Sequence, residues 1–181
     1  MINFFEDNSP GYTSRTRKNV LSSDITIAFA VNPNSPGERQ TMNFADNASI
    51  PFYSFQINEN TGHICWYESS KVDELISKII SFNRPVRLNI AGNGIATFSR
   101  YNITQERVDE LVYNFLSHLL SKGCQFSLIR SGGQTGADES GLKAAERLGI
   151  RCICLCPQGW RFRDSSNKDI YDKEAFKKRF I

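Results

Sequence analysis

The sequence predicts an α/β fold in three layers, a parallel β-sheet with helices on its faces. Three observations carry that prediction. From residue 86 onward, strand-like and helix-like segments alternate as strand, helix, strand, helix, strand, an order that implies parallel strands joined by right-handed crossovers. The best strand candidate, residues 25–31, is nearly all apolar and β-rich, as a strand covered on both sides must be. A glycine-rich turn, Ser131-Gly132-Gly133-Gln134-Thr135-Gly136-Ala137-Asp138, stands between a strand-like run and a helix-like run. That is where α/β proteins place anions, because backbone N–H groups and the positive end of a helix dipole converge there.

Residues 1–20 are polar, with a Ser9-Pro10-Gly11 turn and a basic Arg15-Thr16-Arg17-Lys18 cluster. They read as a loosely held arm ahead of a single domain over 21–181. An N-terminal extension of strands and a short helix follows. Residues 25–31 form its first strand, and Asn32-Pro33-Asn34-Ser35-Pro36-Gly37 breaks it. Residues 38–45 allow a short helix. Residues 50–57 and 64–67 are further strand candidates. Residues 71–82 form an amphipathic helix with Val72, Leu75, Ile76, Ile79 and Ile80 on one stripe, and Ser70 and Asp73 stand at capping-box spacing. Residues 86–91 are a strand running into Gly92-Asn93-Gly94. The strongest helix spans 104–122, from an N-capping Thr104 to Gly123 just past its end. Residues 125–130 are the strand before the opening turn, 138–148 the helix after it, and 151–156 another strand, stopped by Pro157 and Gly159. A short basic helix over 172–180 closes the chain.

A chain of 181 residues supports one substantial core. Its net charge of +3 does not mark an electrostatic nucleic-acid binder, although Arg161, Arg163, Lys168, Lys173, Lys177, Lys178 and Arg179 crowd the last stretch; they read as a solvated face. No apolar run approaches the roughly 20 residues needed to span a bilayer. The start, Met1-Ile2-Asn3-Phe4-Phe5-Glu6-Asp7, turns acidic without an apolar core, so no secretory leader and a cytoplasmic setting are expected. Five cysteines fit free thiols in a reducing compartment.

Gly92-Asn93-Gly94 and the 131–138 turn each end a parallel strand, so on neighbouring strands they face one crevice, the edge where open α/β sheets bind ligands. The expected ligand-binding residues are Gly92, Asn93, Gly94, Ser131, Gly132, Gly133, Gln134, Thr135, Gly136, Asp138 and Glu139. Trp160, Arg161 and Arg163 follow the last strand at the same edge. The arginines suit phosphate and Trp160 suits stacking on a base. The spacing is neither that of Gly-x-x-x-x-Gly-Lys-Ser/Thr nor that of Gly-x-Gly-x-x-Gly. Glu38-Arg39 either reaches the same crevice or caps a loop, and the loop is the favoured reading. Cys152, Cys154 and Cys156 line one side of a strand, which cannot wrap thiols around a tetrahedral metal, so they read as buried small side chains, and no metal is expected. Neither His63 nor His118 is assigned a catalytic role, and no nucleophile–base pair is legible.

Phe126 to Pro157, together with Gly141-Leu142-Lys143-Ala144-Ala145-Glu146-Arg147-Leu148-Gly149 and Cys156-Pro157-Gln158-Gly159, resembles the Rossmann-like SLOG superfamily, which includes DNA-processing protein A, the LOG phosphoribohydrolases and a putative molybdenum carrier family. The molybdenum carriers are nearest in motif. The resemblance covers residues 86–165. It implies a pocket for nucleotides or phosphate-bearing sugars, and homo-oligomers; no cofactor is expected. The chain lacks the second Pro-Gly-Gly-x-Gly-Thr-x-x-Glu motif of the LOG hydrolases, which favours a sensor, carrier or sequestering protein for a phosphate-bearing nucleotide or nucleotide-derived ligand. Three alternatives stand beside it: an N-glycosidase or phosphoribohydrolase acting on nucleoside monophosphates with Asp138 or Glu139 as its acid, a molybdate carrier, and a nucleic-acid module.

Overall fold

The computed structural model describes residues 1–58 and 70–181. The strand candidate at 64–67, with His63 and Cys65, lies outside the described residues. Six parallel strands form the main sheet: β1 (Ile2–Glu6), β2 (Ile25–Ala30), β3 (Phe52–Gln56), β4 (Val86–Gly92), β5 (Phe126–Ser131) and β6 (Cys152–Cys156), in the spatial order β1-β6-β5-β4-β2-β3. Its helices are α1 (Tyr12–Leu21), α2 (Pro36–Asn47), α3 (Ser70–Ser81), α4 (Ile95–Phe98), α5 (Gln105–Ser121) and α6 (Ala137–Arg147). A 3₁₀ turn (Ser99–Tyr101), a small antiparallel ribbon of β7 (Arg161–Arg163) and β8 (Asp169–Tyr171), and the helix α7 (Lys173–Lys178) complete the described elements. The Rossmann-like parallel sheet with flanking helices is the architecture read from the sequence. Among the described residues no helix is long and apolar enough to cross a membrane.

The sheet is organised about β2 and β4. All six residues of β2 are buried, and Phe29 packs edge-on against Phe115 of α5, with ring centroids 5.2 Å apart. Helix α5 starts where Thr104 accepts the Arg107 N–H at 3.3 Å and buries Val108, Leu111, Val112, Phe115, Leu116 and Leu119, the stripe its spacing shows. It packs on α6. Gly141 lets α6 lie directly on β4, since a Cβ there would come within 2.5 Å of Ile90. On β6 the three thiols are fully buried, as small apolar side chains are, and burial pushes those of Cys152 and Cys156 up to about 11 and about 12, which keeps them as unreactive thiols.

One expectation is corrected. Residues 1–20 are not a loose arm: β1 pairs in register with β6 from Ile2↔Cys152 to Glu6↔Cys156, and α1 packs on α2. Sequence patterning misses both because β1 is an edge strand with one buried residue, and α1 buries only Asn19 and Val20 and starts at Gly11 without a side-chain cap. A second correction lies at residues 36–37: Ser35 is the N-cap and Pro36 the first residue of α2, which runs on to Asn47, a longer helix than 38–45. Pro36 is read as a breaker in sequence, yet proline is well placed at a first helical position.

Candidate functional site

Strand β2 continues to β3 on one side, whereas β4 continues to β5 and β6 on the other. The order reverses between them, and that is the point at which open α/β sheets leave a crevice. Loops after β2, β4 and β5 meet there around Asn93. Its side-chain oxygen accepts the Asn32 N–H at 2.9 Å, and its amide donates to Asn32 O and Ser35 Oγ, each at 3.2 Å. Its backbone carbonyl accepts the Ala137 N–H at 3.1 Å. One buried asparagine thus joins all three loops. Their close approach requires Gly136, whose φ is +87° and whose Cβ, were there one, would lie 2.4 Å from Asn93 O; that backbone conformation is open essentially to glycine alone.

The glycine-rich turn carries its own anion. Asp138, 5% exposed, points back into the turn, where its carboxylate accepts the Arg15 guanidinium at 2.8 Å and is favoured in its charged form by the nearby backbone of Gln134 and Gly132. Gly132 makes room for this pair, since a Cβ there would fall 1.6 Å from Arg15 Nη1. Thr135 N–H donates to the Gln134 side chain at 3.2 Å and Gly136 N–H to that of Gln105 at 2.7 Å. Protein acceptors thus take the Thr135, Gly136 and Ala137 N–H groups of this turn, and the sequence could not show that Asp138 folds inward. Burial pushes the Asp138 carboxyl up, while Arg15 and the backbone of Gln134 and Gly132 oppose it.

A cavity of about 340 Å³ opens beside this turn, within the range of small-molecule sites. Of the expected residues, it brings together Gly92, Asn93, Gly94, Gln134, Thr135, Asp138 and Arg163. The others stand outside its lining. Ser131 donates to Ile90 O at 2.8 Å and ties β5 to β4. Gly132 and Gly136 act through the close approaches described above. Gly133 gives its carbonyl to Arg179 at 2.8 Å. Glu139 is held by Lys143 at 2.6 Å and Arg179 at 2.5 Å, so it is an internal ion-pair partner. Trp160 packs on Phe4 and Phe176, at 6.4 and 5.6 Å between centroids, under Lys173 and Lys177. Arg161 bonds Asp169 at 2.6 Å and Pro10 O at 3.1 Å and stacks on Tyr12. The same Asp169 takes Arg163 Nε at 3.1 Å and the Tyr12 hydroxyl at 2.7 Å, and the Arg161 guanidinium holds the Asp169 carboxyl well below the usual range.

The structure also adds lining residues outside the expected ligand-binding set: Tyr12, Arg15 and Asn19 from α1, Glu38 and Thr41 from α2, and Asn89 from β4. For Glu38 the favoured loop reading is corrected and the alternative, that it reaches the crevice, is the one the structure shows. This residue sits on the first turn of α2 at 4% exposure, and its Oε2 is buried with no hydrogen-bond partner. Burial pushes its carboxyl up to about 8, and the neighbouring Asp138 carboxyl adds to the effect. The available signal was the Ser35-Pro36-Gly37-Glu38 run, which is a helix start with an acid in the first turn. Among the described residues no group of three or more His, Cys, Asp or Glu side chains is placed to hold a metal ion.

The family model described as "Circularly permutated YpsA SLOG family" matches residues 3–119 and 129–179. The match reaches well beyond the resemblance over 86–165 and takes in β1, α1 and the start of α2, the elements that supply Arg15 and Glu38. No curated protein matches the chain.

Proposed function

Since the chain belongs to the circularly permuted YpsA SLOG family, a membership that suggests nucleotide-related binding or processing, we propose that it binds a phosphate-bearing nucleotide or nucleotide-derived ligand in the crevice between β2 and β4. The observation that carries this reading is the cavity itself: about 340 Å³, at the point where the strand order reverses, walled by Gly92-Asn93-Gly94, the start of α2 and Arg163. The anionic part of the ligand lies toward the rim. There Arg163, whose side chain is 41% exposed, supplies a guanidinium, and the first turn of α2 the positive end of a helix dipole. The neutral remainder fills the floor by Asn89 and Thr41. Calorimetry against mono-, di- and cyclic nucleotides and ADP-ribose tests this. Arg163→Ala is expected to weaken binding of phosphate-bearing ligands roughly tenfold, and no binding by any of these compounds rejects the reading.

One observation favours hydrolysis as a second reading: Glu38 and Asp138, two buried carboxyl groups, face the same cavity. A proton-bearing acid beside an ionised carboxylate is the pairing used to cleave glycosidic bonds. It replaces Glu139, which is bound up in ion pairs. Release of free base from a nucleoside monophosphate, lost in Asp138→Asn, supports this reading; unchanged nucleotide after prolonged incubation removes it.

A further inference from the structure

Within the crevice, the two carboxyl groups are not equivalent. Asp138 is paired from within the fold by Arg15. Glu38 is not: its Oε2 is buried without a partner, while its side chain lines the cavity. A buried polar atom left unpaired is costly, and a fold retains one where something outside the fold completes it. We propose that Glu38 is the specificity-determining residue of the crevice, a neutral carboxylic acid that donates a hydrogen bond to an acceptor atom on the bound nucleotide. The inference rests on the nucleotide reading above and adds to it the residue that selects the ligand.

The charges around Glu38 support the neutral form. Asp138 faces it from α6, Tyr12 and Arg15 from α1, and Arg163 from β7, while the cavity residues of β4, Asn89 to Gly92, are uncharged. Arg15 is committed to Asp138, and Arg163 Nε to Asp169. Glu38 thus meets a second carboxyl and no dedicated cation, so it keeps its proton until about pH 8. An uncharged donor admits an anionic ligand that a carboxylate would repel. Of its two oxygens, only the protonated one can pair with a ligand acceptor. The acceptor is either a base atom or a phosphoryl oxygen, and two probes separate them.

The test is calorimetry with AMP and with ribose 5-phosphate on wild type, Glu38→Gln and Glu38→Leu, from about pH 7 to about pH 9.5, where the phosphate, whose second pKa is about 6, keeps a constant charge. Wild type is expected to bind AMP with constant affinity up to about pH 8 and then to weaken about tenfold per pH unit. Glu38→Gln retains a neutral donor and is expected to bind with a flat profile. Glu38→Leu is expected to bind about tenfold more weakly than wild type at pH 7, with a flat profile. A pH step seen with AMP alone assigns the acceptor to the base; a step seen with both probes assigns it to the phosphoryl group. AMP affinity in wild type that is flat to pH 9.5 and equal to that of the Leu variant overturns the proposal and leaves the nucleotide reading standing. Wild type that binds no nucleotide at any pH overturns both. Circular dichroism confirms folding of each variant, and the Gln variant carries the test should the Leu variant not fold.

Discussion

Replacing Glu38 with Gln measures how strongly the fold works against a charge at this position. The group titrates near 4.5 in an unfolded chain and at about 8 in the folded one. Between those values the folded state holds a proton that the unfolded state has released, so the free energy of unfolding falls as pH rises. The contribution is fully present below about pH 4.5, is lost progressively above it, and is gone once pH exceeds about 8. At about 1.36 kcal/mol per pH unit, the full span amounts to about 5 kcal/mol, of which about 3 kcal/mol is already lost at pH 7. Glutamine keeps the shape and cannot ionise. Relative to its value at pH 4, the stability of Glu38→Gln over wild type should therefore grow to about 3 kcal/mol at pH 7 and about 5 kcal/mol above pH 8. Urea unfolding of both proteins across this range reads the difference directly, and every other titrating group cancels to first order. A difference that stays constant within about 0.5 kcal/mol from pH 4 to pH 9 would refute the reasoning, because it would mean that Glu38 ionises as freely in the folded protein as in water.

Other perturbations test the scaffold. Arg15→Met leaves the Asp138 carboxylate buried and unpaired and should cost about 3–5 kcal/mol, with most of it recovered in the Arg15→Met/Asp138→Asn double variant; an additive double variant, in chemical denaturation, removes the pair from the account. Gly136→Ala forces a Cβ against Asn93 O at 2.4 Å in a glycine-only conformation, and the sum of strain and overpacking should reach about 3 kcal/mol, visible as a lowered melting temperature. Asp169 has its folded pKa depressed by Arg161, so its stabilising contribution is present above its ordinary pKa of 3.8 and is lost as pH falls below that value; Asp169→Asn should remove that part of the acid sensitivity, and acid unfolding curves that superimpose would contradict it.

Most of the sheet was legible because its strands are local signals. The apolar run of β2, the stripe of α5 and the Thr104 cap are each set by neighbours within a few residues, and the structure places them within a residue or two of where the spacing puts them. Edge and ribbon elements were not legible. β1 buries one residue and owes its pairing to β6, and β7 and β8 are three-residue strands held by Asp169 and its arginine partners. Such segments carry too little periodicity to stand out.

For the site, the sequence by itself determined where a crevice forms. A glycine-rich turn after one parallel strand and Gly92-Asn93-Gly94 after its neighbour can converge only at the carboxyl edge of the sheet, and the local chemistry of glycine and strand alternation suffices to say so. What lines the crevice was decided by tertiary structure alone. Arg15 reaches Asp138 because α1 packs on α2 beside the turn, Glu38 faces the same cavity because Pro36 starts α2 rather than ending a loop, and Trp160 turns away because Phe4 and Phe176 offer it an apolar wall. These pairings join residues far apart in the chain, and the energies that choose them, ion pairing and desolvation, exist only once the fold has excluded water.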